Sequence, residues 1–254
     1  MIKKIFIVAV TVCASLCVAA SKPEVVAHRG YWNVDGSAQN SIRSLVKADS
    51  IACFATEFDI WITADDTLVV NHDPSINGIV IETSPLSAVK EQVLSNGEHV
   101  PSLEKYLVEA VKLPKLRLVC ELKPHQNALR EKVAIKSILE LMKKYGLENR
   151  VDYITFSRNG FVMLCKDAPQ GTPVYYLGGD FIPEQIKFYN GAGIDYSLGA
   201  MRNHPEWIKK CHDLGLKVNV WTVNSPDDMK WCIEQGVDFI TTNEPETLQS
   251  LLKH

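Results

Sequence analysis

Residues 57–73 read EFDIWITADDTLVVNHD, and the rest of the chain can be organised around them. Two acids, Glu57 and Asp59, stand two positions apart inside an apolar run. In a strand, positions i and i+2 point to the same face, so the two carboxylates are predicted to stand side by side. A polar turn follows at residues 64–67, then a short apolar run at 68–70, then His72. Strand, tight turn and return strand would carry His72 back to the acids. Two carboxylates and an imidazole in one small volume suggest metal-assisted chemistry. Asp65 and Asp66 are read as solvated turn residues.

Outward from this stretch, short apolar runs alternate with segments of helical period. Strands are predicted at residues 24–28, 56–62, 116–123, 152–156, 172–177, 194–198, 217–223 and 237–241. Helices are predicted at 41–52, 102–112, 127–145, 160–166 and 205–214, with a last one from residue 247 onward. A further helix opens at Ser225-Pro226, an N-cap followed by proline at N1, and closes at Gly236. In the helix at 127–145, Leu129, Val133, Ile138, Leu139 and Met142 make one apolar side, and Gly146 stops it. Residues 74–101 show no clear period and read as an excursion. Continuous apolar strands alternating with helices mean a parallel sheet covered on both faces. Eight such units imply an α/β fold, a single (β/α)8 TIM barrel with a short excursion after strand 2. An open doubly wound sheet is the alternative. No GxGxxG or P-loop signature follows any strand, which weakens its nucleotide-binding version.

The chain has 254 residues, a formal net charge of -3 and 22% charged residues. There is no basic excess to engage nucleic acid or an anionic membrane surface. Lys3 and Lys4 precede an apolar stretch to about residue 20 that ends in Ala19 and Ala20, the pattern of a secretory signal peptide over residues 1–20. The expected mature chain, residues 21–254, is one domain, exported to the periplasm or secreted, with no integral membrane segment after cleavage. Cys17 is preceded by Leu16 where a lipoprotein usually carries a small residue, so a lipid anchor is the lesser alternative. The other cysteines, Cys53, Cys120, Cys165, Cys211 and Cys232, are scattered and match no zinc spacing. They read as small core residues.

In a barrel, catalytic groups gather at the C-terminal ends of the strands. The first predicted strand ends in His28-Arg29-Gly30, the second carries Glu57 and Asp59, the third ends in Glu121 and Lys123, and the seventh carries Trp221. A structural salt-bridge network of Glu57, Asp59 and Glu121 with Arg29 and Lys123 is the plain explanation. Taken singly, His28 and His72 would be ordinary strand-end and turn residues, and Trp221 core packing. Two i, i+2 charged pairs within apolar strands argue for more, because buried charges are costly unless paired or bound to a cation. A carboxylate shell favours a hard divalent cation, Mg²⁺ or Ca²⁺, over Zn²⁺. Two histidines beside it suit acid and base roles, and Arg29 and Lys123 suit a phosphate. His99, His125, His204 and His212 are left as structural. The set describes cleavage of a phosphoester.

Six segments carry a family resemblance. They are AHRG at 27–30, EFDIWITADDTLVVNHD at 57–73, VPSLEKYL at 100–107, CELK at 120–123, VNVWTVN at 218–224 and GVDFITTNEP at 236–245. In this order they resemble the glycerophosphodiester phosphodiesterase family of PLC-like phosphodiesterase barrels. The resemblance implies a metal-dependent hydrolase that converts glycerophosphodiesters to sn-glycerol 3-phosphate and an alcohol. It implies His28 and His72 as the catalytic pair and Glu57, Asp59 and Glu121 as ligands of Mg²⁺ or Ca²⁺. Arg29 and Lys123 would contact the phosphate, and Trp221 would form a wall for the glycerol or alcohol. A related diesterase or lyase acting on lysophospholipid or phosphoinositol is the first alternative, and a non-catalytic glycerophosphate-binding protein the second. Two departures stand out. The family's glutamate-asparagine-threonine run is Gln39-Asn40-Ser41 here, which keeps the hydrogen-bonding shape and drops a charge. The family's segment after the histidine-aspartate pair is not recognisable near residues 76–84, a loop expected to border the pocket. Alcohol specificity and oligomeric state are not legible in the sequence.

Overall fold

The computed structural model describes residues 22–253. The expected signal peptide and its two cysteines therefore lie outside the described residues. The strands are β1 (Glu24–Ala27), β2 (Ala55–Ile62), β3 (Leu68–Val70), β4 (Ser75–Ile76), β5 (Ile79–Val80), β6 (Arg117–Leu122), β7 (Val151–Thr155), β8 (Val174–Tyr176), β9 (Gly193–Ser197), β10 (Lys217–Trp221) and β11 (Phe239–Thr242). The helices are α1 (Ile42–Ser50), α2 (Leu86–Val89), α3 (Leu103–Ala110), α4 (Ala128–Lys144), α5 (Arg158–Asp167), α6 (Pro183–Phe188), α7 (Leu198–Asn203), α8 (Glu206–Asp213), α9 (Pro226–Gln235) and α10 (Pro245–Leu252).

Eight strands pair in parallel in the cyclic order β1, β2, β6, β7, β8, β9, β10, β11, and β11 returns to β1 through Val26↔Thr241 and Ala27↔Thr242. This is the closed (β/α)8 barrel expected from the alternating pattern. Its bore is filled by Val26, Ala55, Val119, Ile154, Tyr175 and Leu177. A larger apolar layer, including Phe58, Leu103, Tyr106, Ile138 and Phe161, lies between strands and helices. Serines start five of the described helices, four of them predicted from the sequence. Ser41, Ser102, Ser157 and Ser225 each accept the backbone N–H three residues on, meeting one of the free donors of a helix N-terminus.

Three features differ from the sequence expectation. The short helices α6 and α7 are additional, and the predicted sixth strand stops at Ser197, whose hydroxyl caps α7. Leu129 is 70% exposed, because the buried stripe of α4 runs through Glu131, Ala134, Ile135, Ile138 and Met142, and at about 3.6 residues per turn Leu129 falls on the side opposite Ile138. The excursion has structure of its own: β4 and β5 pair antiparallel, a 3-10 turn and α2 follow, and Ile81, Val89 and Val100 pack on Trp61 and Val69 as a separate small core.

The cysteines follow expectation. Cys53, Cys120, Cys211 and Cys232 are buried, Cys165 is half-buried, and all five are free thiols.

Candidate active site

β2 is longer than its neighbours need. Residues 55–60 pair with β6, while Ile60, Trp61 and Ile62 pair antiparallel with β3. The hairpin turns the chain, and the backbone N–H of Asn71 donates to the carbonyl of Asp59 at 3.1 Å. His72 is thereby delivered to the barrel mouth. Asp59 and Glu121 are register partners on β2 and β6, so their side chains stand together.

Glu57, Asp59 and Glu121 are all buried, and one oxygen of each lies within 4.8 Å of the others. The Lys123 ammonium sits 2.7 Å from Asp59 Oδ1 and 2.7 Å from Glu121 Oε1. Arg29 Nε is 3.8 Å from Asp59 Oδ2. The salt-bridge network is therefore real, but it does not reach Glu57. That carboxylate accepts only the Arg29 backbone N–H on Oε2, at 2.7 Å, and its buried Oε1 has no partner.

The acids are not equivalent. Burial, then the charges of Asp59 and Glu121, push Glu57 well above the usual carboxylate range. Burial and Asp59 raise Glu121 to about 8. For Asp59 burial acts upward too, but Lys123, His72 and Asn40 outweigh it and hold the group below its ordinary value. Lys123 is held above its ordinary value because Asp59 and Glu121 overcome the opposing effect of burial. Three carboxylates that resist joint ionisation, one with an unmet oxygen, fit a hard divalent cation with oxygen ligands.

A cavity of about 190 Å³ opens beside them. Its lining includes His28, Arg29, Glu57, His72, Glu121, Lys123 and Trp221. Seven of the eight residues singled out from the sequence thus border one volume, and the eighth, Asp59, lies against Lys123 behind it. Residues 76–84 do not border it. Ile76, Ile79 and Ile81 are drawn down into the small core around Trp61 instead.

The two histidines are held differently. His28 Nδ1 lies 2.8 Å from Asn243 Oδ1, so Nδ1 carries the proton and Nε2 is left free. Burial and then the Arg29 charge lower its pKa to about 4. His72 is partly open, and its Nδ1 is 2.7 Å from Asp73 Oδ1. Burial lowers its pKa as well, against the upward pull of Asp59. Trp61 donates its indole N–H to the His72 carbonyl at 3.1 Å. His125 packs against that indole, ring centroids 5.4 Å apart, and accepts the Ile62 backbone N–H on Nε2. Trp221 donates to the Asp195 carbonyl at 2.9 Å and meets Phe156 edge-on.

The Gln39-Asn40-Ser41 run has three separate duties. Gln39 Oε1 accepts from Arg29 at 2.6 Å, Asn40 binds Asp59, and Ser41 caps α1. Sequence reasoning missed Asn40, Trp61 and Asn243 as supports of the site. Each looks like a cap, core or turn residue locally, and no spacing marks its distant partner. Asp65 and Asp66 stay outside the site, with Asp65 accepting the Leu86 N–H and Asp66 pairing with Arg130. Among the described residues no helix is long and apolar enough to cross a membrane.

The family model for the glycerophosphoryl diester phosphodiesterase family matches residues 28–247. A crystal structure of a glycerophosphodiester phosphodiesterase from Parabacteroides distasonis superposes with a TM-score of 0.90 at 42% identity, covering 91% of this chain and 97% of that one. A glycerophosphodiester phosphodiesterase of Caldanaerobacter subterraneus is 29% identical, over 91% of this chain and 98% of its own. An Oleispira antarctica phosphodiesterase, solved with its product sn-glycerol-3-phosphate, shares the fold at 21% identity and a TM-score of 0.81, covering 92% of this chain and 98% of its own.

Proposed function

The chain belongs to the glycerophosphoryl diester phosphodiesterase family, and on that premise we propose that His28 and His72 form the acid–base pair of a divalent-metal-dependent, exported enzyme. It is a phosphoric diester hydrolase acting on glycerophosphodiesters. The observation that carries the site reading is the charge imbalance at the cavity wall: three buried acids face two basic side chains, and Glu57 has no basic partner.

Glu57, Asp59 and Glu121 hold Mg²⁺ or Ca²⁺. Such an ion, when bound, supplies charge neutralisation and polarisation at the phosphoryl oxygens. The Arg29 guanidinium and the Lys123 ammonium add positive charge where the diester sits. His28 is uncharged near neutral pH, with Nε2 free, and takes the proton of the attacking nucleophile. His72, half open and bonded through Nδ1 to Asp73, donates to the leaving oxygen; burial makes it a stronger acid than a free imidazolium, against the upward pull of Asp59 and Asp73. Trp221 and Phe156 wall the cavity and exclude water from one side of the substrate. Gln39 bonds Arg29 rather than any carboxylate of the cluster.

Export rests on Lys3 and Lys4, the apolar stretch behind them and the small residues at 19–20. It assigns residues 21–254 to the mature enzyme, and mass spectrometry of the cell-envelope or secreted form would read the processed N-terminus.

The test is release of sn-glycerol 3-phosphate from a panel of glycerophosphodiesters, with Mg²⁺, with Ca²⁺ and with EDTA. His28→Ala and His72→Ala should each lower turnover by about 10²–10⁴-fold with the fold intact. Wild-type-like turnover in either variant removes that histidine from the chemistry, and full activity in EDTA removes the cation. A cyclic phosphate among the products would identify the substrate's own hydroxyl as nucleophile.

A further inference from the structure

Asp195 is a buried carboxylate that lines the active-site cavity and has no part in the mechanism above. It lies on β9, the sixth strand of the barrel, whereas Glu57 and Asp59 lie on β2, the second. In a ring of eight these strands face each other across the bore. The residue is 2% exposed, and its Oδ1 accepts no hydrogen bond. Asn219, its register partner on β10, gives its amide N–H to Thr241 Oγ1 at 2.8 Å. Ile154, Leu177 and Trp221 make the cavity wall around it. Burial raises its pKa to about 7 against the opposing influence of Asn219.

An unmet acceptor on the floor of a substrate cavity is a place for a ligand donor. The phosphate belongs at the acid cluster. A glycerol moiety running from there across the bore places its terminal hydroxyl at the far side. We propose that Asp195 accepts the hydrogen bond of that terminal hydroxyl and so selects glycerol at the closed end of the site. This is a specificity-determining contact and rests on the glycerophosphodiesterase reading of the same cavity. A diester without the hydroxyl would enter the cavity and leave Oδ1 unmet, and sites built to bond a hydroxyl discriminate strongly against such analogues.

The experiment compares two diesters with the same leaving alcohol, one of glycerol and one of propane-1,2-diol, which lacks the terminal hydroxyl. Wild-type enzyme should favour the glycerol diester by roughly a hundredfold or more in kcat/KM. Asp195→Ala should lose most of this preference by slowing the glycerol diester alone. A wild-type ratio near one overturns the proposal without any variant. So does an Asp195→Ala enzyme that slows both substrates equally, which is what a merely structural role predicts. Asp195→Asn, which keeps shape and an acceptor oxygen, should fold and retain part of the preference; a folded Asn variant with none of it would overturn the proposal too. If wild-type enzyme hydrolyses neither diester, the parent reading fails instead.

Discussion

Asn40 grips Asp59 twice: its Nδ2 donates to Asp59 Oδ2 at 2.7 Å, and its Oδ1 accepts the Asp59 backbone N–H at 3.1 Å. Asn40 is itself buried and held at φ 60, a left-handed backbone that asparagine adopts more readily than most residues. One side chain therefore fixes the orientation of a proposed metal ligand and adds to the pull of Lys123 and His72 that keeps it ionised.

Asn40→Ala leaves a buried carboxylate oxygen and a buried N–H unmet. The expected cost is about 1–3 kcal/mol of stability, read by denaturant unfolding. Divalent-cation affinity should fall by about 10–100-fold, read by calorimetry. Unchanged affinity would show that Asn40 supports only the backbone.

The acid cluster sets a pH dependence on the metal-free protein. Glu121, at about 8, and Glu57, well above the usual range, keep protons in the folded state that the unfolded chain has released. A raised folded pKa favours the folded state at low pH, and that stability is lost as pH rises through it. His28 and His125, both lowered to about 4, act in the opposite direction below about 6.5. The clean window is therefore from about 6.5 to 8 and beyond. Thermal melting in EDTA should show the midpoint falling across it, and saturating Mg²⁺ or Ca²⁺ should reduce the fall. A flat profile in EDTA would mean that the acids are already ionised in the folded protein at about pH 6.5.

His28 is oriented by a neutral amide, and Trp32 donates to the same Asn243 oxygen at 3.2 Å. Asn243→Asp keeps the acceptor and adds a negative charge against Nδ1–H. The His28 pKa should rise by about 1 unit or more. The acid limb of the kcat/KM profile then moves to higher pH, so activity at pH 5 drops more than activity at pH 7.5. An unmoved limb removes His28 from the base role.

Gly30 sits at φ 77 directly after Arg29, and a Cβ there would lie 2.3 Å from Ser44 Oγ and 2.7 Å from its carbonyl carbon. Gly30→Ala combines a disfavoured backbone with a clash against α1. It should destabilise the protein by on the order of 2 kcal/mol or more, measured by urea unfolding, and lower activity through Arg29.

The alternating strands, the Ser225-Pro226 helix start and the two i, i+2 charged pairs were readable because each is a local property of a short stretch. A strand of continuous apolar residues announces burial on both faces, and charged residues that interrupt it announce the mouth of the barrel. The family resemblance named the site residues for the same reason, since every one lies inside a short contiguous motif. The excursion after β3 was opaque because its elements are only two to four residues long, shorter than any period they could display. Leu129 misled because it lies about half a turn out of phase with Ile138, on the side of α4 away from the barrel.

The partners of the site were a different matter. Asn40 meets Asp59 across 19 residues and His28 meets Asn243 across 215, and Asp195 faces β2 from the opposite strand. Spacing along the chain says nothing about such pairs. They are set by the closure of β11 onto β1, by strand register and by the hairpin that brings His72 back, all of them products of tertiary pairing. The residue types able to do the chemistry were legible along the chain; which oxygen is left unmet, and which imidazole nitrogen is left free, depended on the closed ring.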